Sequence, residues 1–302
     1  MAVTKRSDLI YVDQLQEAIQ AWFVGKMALW GTGVAVMSPT LPSVGPEGNK
    51  LKGGDTIRVP YFDVIGELED VTEGQALTPA KLTETSETAT VTHSGKAAEI
   101  TAWARLTAQF SDPYAELARQ LGEAWKRRID KALIDKGGLT TLTNDISTGA
   151  GAAALISLDG IFDTAQLWAD EQPDDPSQML MIMHSKVYGD ARKLKDTTGK
   201  PLFTDPSKDF PLPRMAGIPV KVSDRIVVTG AGANSATYDN LLCKQSAMAA
   251  WVNGNPDVLQ GQDILSHSDI TALHTYFVAH LYKRPANGTK TGVIKLKTKA
   301  SA

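Results

Sequence analysis

A single cysteine, Cys243, stands in 302 residues, so no internal disulfide can form. That excludes a cross-linked secreted scaffold and favours a reducing compartment. Cys243 lies in the apolar run LLCK, where a small buried core residue is the expected role. Long apolar runs are missing as well: none approaches the ~20 residues of a membrane span. Residues 1–10 carry Lys5 and Arg6 without the apolar stretch of a signal peptide, so synthesis in the cytosol and no membrane partner are expected. No sign of charge dominates. The net charge of −3 gives no general attraction to nucleic acid or anionic lipid. No repeat of solenoid length is present.

Catalytic chemistry is also missing. Of His93, His184, His267, His274 and His280, the last three invite a metal reading, but no Cys or carboxylate motif completes a site. In an extended strand His274 and His280 share a face yet stand about 20 Å apart. GTGVAV and GAGAN lack both the glycine spacing and the Gly-Lys-Ser/Thr of phosphate-binding loops. There is no G-x-S-x-G elbow. Asp174 and Asp175 are neighbours in a Pro-flanked turn and are expected to be solvated. No nucleophile, base and oxyanion donor share a credible spacing, and bases do not interleave with aromatics as on a nucleic-acid platform. The expectation is no enzyme, no cofactor and no metal.

What remains is an ordinary globular composition, 42% hydrophobic and 22% charged, long enough for one large or two medium domains. Residues 8–30 have a helical pattern, with Asp13 as cap and Leu15, Ile19, Trp22, Phe23 and Trp30 near one face. Residues 31–54, rich in Gly and Pro, read as an extended connector without core. Ile57, Val59 and Tyr61 alternate along a strand over 55–65. A second extended segment covers 88–106, and its small and apolar residues switch parity, which predicts a bulge or turn near Gly95. Together the two segments make a long hairpin with its tip at about 67–86. Residues 113–136 form a helix about 36 Å long, capped by Asp112, opened by Pro113 and ended by Gly137–Gly138. Tyr114, Leu117, Leu121, Trp125, Ala132 and Leu133 form its apolar stripe. Residues 139–156 read as a loop or short hairpin.

Farther on, Ser157 caps a helix to about 171, MLMIM at 179–183 is a buried strand, and Ser185 caps a helix to about 195. A loop covers 196–216. Strands follow at 218–222, 226–229, 238–243 and 247–252. Strands at 269–282 and 291–297 return to the first region. The class is α+β, with one domain inserted into another.

This order of elements resembles the tailed-phage major capsid proteins of the Hong Kong 97-type fold. GDTIRVP at 54–60 followed by VTEGQALTPAKLT resembles that family's extended E-loop. SDPYAELARQLGEAWKRRIDKALI at 111–134 resembles its spine helix. MIMHSKVYGDARKLKDTTGKPLF at 181–203 and MAGIPVKVSD at 215–224 resemble its axial domain, and KTGVIKLKT its closing strand. The resemblance implies an N-terminal arm at 1–54, an E-loop hairpin at 55–106 and a peripheral domain at 107–156. An axial domain at 157–268 and a return to the peripheral domain at 269–302 complete it. It further implies a shell built of pentamers and hexamers of this chain, assembled in the host cytoplasm around double-stranded DNA held without base readout. A portal and a decoration protein are implied partners. With no long scaffolding segment ahead of the arm, a separate scaffolding protein, or none, is expected. An encapsulin-like cellular shell and an enzyme of unknown class are the alternatives.

In that setting one charge pattern stands out. The hairpin between 67 and 87 holds Glu67, Glu69, Asp70, Glu73, Glu84 and Glu87 against Lys81 alone. The helix carries Arg119, Lys126, Arg127, Arg128, Lys131 and Lys136 against four acids, its bases weighted to the C-terminal half, where they suit the helix dipole. The expected subunit contact is the acidic hairpin of one copy over the basic helix of its neighbour. Cross-linking of Lys81 or Lys96 to Asn253, Asn255 or Asn287 matches no motif and is not expected.

Overall fold

The computed structural model describes residues 28–29, 32–38, 56–62, 68, 70–71, 79–82, 84–107, 113–195, 198–204, 212–230, 236–253, 256–283 and 291–301. β1 (Ala35–Ser38), β2 (Thr56–Phe62), β3 (Glu84–Thr90) and β4 (Thr92–Thr101) precede α1 (Ala102–Thr107) and the long α2 (Pro113–Gly137). Then come β5 (Thr143–Asp145), α3 (Leu158–Gln166), β6 (Met179–Met183) and α4 (Ser185–Lys193). The later strands are β7 (Phe203–Thr204), β8 (Arg214–Met215), β9 (Ile218–Val222), β10 (Val228–Thr229) and β11 (Thr237–Lys244). β12 (Met248–Val252), β13 (Asp257–Asp263), β14 (Ser268–Leu281) and β15 (Val293–Lys299) complete them.

Two sheets carry the molecule. In the first, β14 is the axis: β4 pairs along one edge from Thr92↔Phe277 to Thr101↔Ser268. The opposite edge takes β13 at residues 268–274 and β12 at residues 277–281. β1 adds in parallel to β12. The second sheet runs β5-β15-β11-β6-β9-β8-β7, with β10 also on β11. MLMIM is buried at every position because its alternating side chains face two cores. Leu180 and Ile182 join the core under α2, with Ile129, Leu133, Leu241, Met248 and Phe277. Met179, Met181 and Met183 join a second core closed by Ile161 and Ala165 of α3 and Val187 and Ala191 of α4. Ser157 caps α3 as expected, its Oγ accepting from Gly160 N at 3.0 Å.

Several expectations are corrected. The helix expected over 8–30 lies outside the described residues except for Ala28 and Leu29, which form a buried bend. The connector expected to lack core contains β1, with Val34 and Ala35 buried; the open edge of β12 satisfies its backbone. The break in the 88–106 segment falls at Val91, not Gly95. β3 ends there on β2 while β4 crosses to β14, and α1 is helical where extension was expected. Gly95 sits inside β4 for a different reason: a Cβ there would lie 2.7 Å from His274 Nδ1 and 3.0 Å from Leu273 O. β5 pairs in parallel with β15 rather than closing a hairpin. α3 ends at Gln166, and a 3-10 turn covers 169–171. His184, not Ser185, caps α4, its Nδ1 accepting from Lys186 N at 3.3 Å. β7 and β8 lie in the expected loop, and β13 was not anticipated, since DVLQGQD has no buried face. β12 belongs to the first sheet; β15 lies in the second, beside β5 of the 107–156 segment.

Candidate functional site

α2 packs across β14, β12 and β4 through Ile129, Leu133 and Trp125, whose indole N–H donates to Thr275 Oγ1 at 3.1 Å. Its other flank faces β4 across a groove of about 600 Å³. Lys96 enters from β4, Arg127, Arg128 and Lys131 from α2, and Arg225 from the turn after β9; His93 stands at the wall. No acid lines this groove among the described residues. The Arg128 guanidinium lies 5.6 Å from the centre of the Phe277 ring, and its Nε donates to Ser94 Oγ at 3.3 Å. Arg127 donates through Nη2 to Glu123 at 3.0 Å, while its Nε is buried with no acceptor among the described residues. A buried donor without a partner is costly, and an acceptor brought by another molecule would relieve it. Lys96 and Lys131 have no acidic partner among the described residues.

One acid beside the groove organises its floor. Asp130 has no exposed surface. Its Oδ1 accepts from Leu29 N at 2.7 Å, and its Oδ2 from Ala28 N at 3.2 Å and from Arg225 Nη1 at 3.1 Å. Arg225 also donates to the Arg127 carbonyl at 3.1 Å. Asp130 therefore ties the N-terminal segment, α2 and the turn after β9 together. Sequence reasoning counted it only as one of four helix acids; its i+3 offset from Arg127 gave no hint of burial.

The expected bases divide. Arg127, Arg128 and Lys131 are brought together in the groove, with Lys96 and Arg225 added from distant segments. Arg119 is engaged within its own helix, donating to Glu116 at 2.6 and 2.9 Å and pairing with Glu123. These hydrogen bonds hold the Glu116 carboxyl below, and the Arg119 guanidinium above, their ordinary values. Lys126 does not line the groove.

On the hairpin, β2 and β3 pair from Thr56↔Thr90 to Phe62↔Glu84. Asp70, Lys81 and Glu84 are exposed, as are Leu68, Val71 and Leu82. Glu67, Glu69 and Glu73 lie outside the described residues. Glu87 is engaged inside the subunit, 3.7 Å from His280 Nε2 and 3.8 Å from Lys283 Nζ. The hairpin root rests on a small core of Ile57, Ala89 and Val278 with Val91 and Trp251 beside it. Burial pushes the His280 imidazole below its ordinary value, against the pull of Glu87.

Among the described residues no cluster of three or more His, Cys, Asp or Glu could hold a metal ion. His93 Nε2 and His274 Nδ1 meet at 3.2 Å, and the groove cations beside His93 disfavour a metal ion there. Cys243 is fully buried, which pushes its thiol far up and leaves it inert.

A hairpin rooted on a small core, a sheet crossed by a long helix and a second helix-covered sheet define the Hong Kong 97-type fold. Solved structures bear this out. The capsid of the native GTA particle matches at 15% identity, covering 96% of this chain and 100% of that one, with TM-score 0.62. The Microbacterium phage Oxtober96 structure matches at 13% identity, with 99% and 100% covered and TM-score 0.63. The Mycobacterium phage Cain structure matches at 15% identity, with 100% of both chains covered and TM-score 0.61. The family model for phage capsid protein matches residues 83–282, and the chain belongs to that family, one of structural proteins of the virion. No curated protein is matched.

Proposed function

We propose that the chain is a major capsid protein, not an enzyme. It self-assembles in the host cytoplasm into a closed icosahedral-type shell of pentamers and hexamers around double-stranded DNA. The observation that carries the reading is the pairing of two features unsatisfied within one subunit. One is a groove of bases that no acid lines among the described residues; the other is a hairpin that leaves Leu68, Val71, Leu82, Asp70 and Glu84 in solvent. The acidic tip, Glu67, Glu69, Asp70 and Glu73, lies over Lys96, Arg127, Arg128 and Lys131 of the neighbour. Each exposed pair contributes on the order of 0–1 kcal/mol and is weakened by salt. Repetition around a closed shell makes such weak contacts collectively decisive for register. Scaffolding, portal and decoration proteins complete the set of partners, and the enclosed DNA is held by volume and counterions without base readout. Imaging the purified protein by negative stain, with extraction of any enclosed nucleic acid, tests this. Closed particles of uniform size holding genome-length DNA are expected; a monomer that never assembles would refute it.

A further inference from the structure

A second cavity, of about 360 Å³, lies where the N-terminal segment meets the second sheet. That is the low end of the roughly 300–1,000 Å³ of small-molecule sites. Backbone bonds fix its walls. Ser246 N donates to Gly33 O at 2.9 Å, Gln245 N to Gln178 O at 3.0 Å and Val220 N to Pro213 O at 2.8 Å. Two cations line it, Arg214 of β8 and Lys221 of β9, and no acid does so among the described residues.

Lys221 is out of place for a strand residue. It pairs with Ile182 and shares the face of Pro219. On that face β6 sends Leu180 and Ile182 into the core under α2. A half-buried ammonium there is costly without a partner, and Lys221 has no hydrogen bond or ion pair with a described residue. Burial pushes its amine below the ordinary value, against the pull of Asp130, whose carboxylate is already held by three donors. The hydroxyl protons at the cavity are spent: Thr32 Oγ1 donates to Leu29 O at 2.8 Å and Ser177 Oγ to Asp175 Oδ2 at 2.5 Å. Asp175 also feels the charge of Arg214. Lys221 therefore carries the uncompensated charge.

We propose that this cavity binds a small organic anion, a carboxylate or phosphate on a short apolar body. Lys221 and Arg214 take its oxygens, and the body lies against Val34, Met179, Leu212 and Pro219. An oxyanion matches both cations, and the apolar wall favours an organic anion over a bare ion. Thr32 and Val34 belong to the N-terminal segment and Lys221 to the second sheet, so an occupant ties the two together. The site is separate from the basic groove and does not depend on the shell reading.

Hexanoate, hexyl phosphate, hexanol and inorganic phosphate, titrated into unassembled subunits by calorimetry, test it. Hexanoate or hexyl phosphate is expected to bind at least tenfold more tightly than hexanol and than inorganic phosphate, and the tighter of the two identifies the head group. Lys221→Met keeps the apolar stem and removes the charge; it is expected to weaken that binding at least tenfold. A second measurement needs no variant. With the ligand at saturation, acetic anhydride is expected to acetylate Lys221 at least fivefold more slowly, by peptide mass spectrometry, while Lys131 of the basic groove reacts as before. Binding of neither organic anion, equal binding of hexanol or inorganic phosphate, undiminished binding to Lys221→Met, or equal protection of Lys221 and Lys131 overturns the proposal.

Discussion

Removing the Asp130 carboxylate should loosen three segments at once. Asp130→Ala leaves the Leu29 and Ala28 amides without their acceptor and Arg225 Nη1 with only the Arg127 carbonyl, at a position with no solvent exposure. Breaking a fully buried charge pair costs about 3–5 kcal/mol. Arg225 retains 21% side-chain exposure, so water can recover part of its loss, and the low end, about 3 kcal/mol, applies. For a chain of this size that corresponds to a melting decrease of about 6 °C. Asp130→Asn should cost nearly as much. One acceptor becomes an amide nitrogen, and both original positions face donors, so an N–H would point at an N–H whichever way the amide turns. Urea unfolding of unassembled subunits, followed by tryptophan fluorescence, gives the free energies. Hydrogen exchange at Leu29 reports whether the N-terminal segment has let go. A loss below about 1 kcal/mol, or Leu29 protection unchanged in Asp130→Ala, would refute the clasp.

Other consequences can be checked on the same subunits. Gly95→Ala should destabilise by about 1–3 kcal/mol, because the new Cβ meets both the His274 ring and the Leu273 carbonyl. Adding His274→Ala should recover only part, since the carbonyl cannot move aside; full recovery in a thermal melt would contradict this. Burial depresses His280, so between its folded value and the ordinary 6.5 the unfolded chain binds more protons than the folded one. Stability is therefore complete above about pH 6.5 and falls as the pH drops below it. His280→Gln should flatten that slope when unfolding free energies are compared at about pH 7.5 and 5. An unchanged slope would mean that other groups, His184 among them, carry the effect.

Much of the fold was legible because its largest elements are locally consistent. The stretch from Pro113 to Gly137 has a start signal, a stripe and a glycine stop, and MLMIM at 179–183 has the continuous apolar character of a strand buried on both faces. What stayed hidden depends on partners far away in the chain. Ala35 pairs with Met248, and nothing within AVMS announces a parallel neighbour. DVLQGQD becomes β13 by pairing with β14 while burying almost nothing, so its period carries no signal. The parity switch suggested a bulge near Gly95, but the break falls at Val91, where the chain changes partner from β2 to β14; Gly95 instead answers the close approach of the His274 ring. The candidate site was half legible. Arg127, Arg128 and Lys131 come from one helical turn and could be read together, whereas Lys96 and Arg225 arrive through tertiary structure. Arg119 pairs with its i−3 and i+4 acids inside the helix, a pairing that the local spacing already carried.

The central claim is that a neighbour's acidic hairpin occupies the basic groove. Its most direct test is a charge swap read by electron microscopy. Lys96→Glu, Arg128→Glu and Lys131→Glu together should give folded subunits with the wild-type circular dichroism spectrum and no closed particles. Adding Glu67→Lys, Glu69→Lys and Asp70→Lys to the same chain should restore particles. Normal shells from the triple reversal alone would contradict the account.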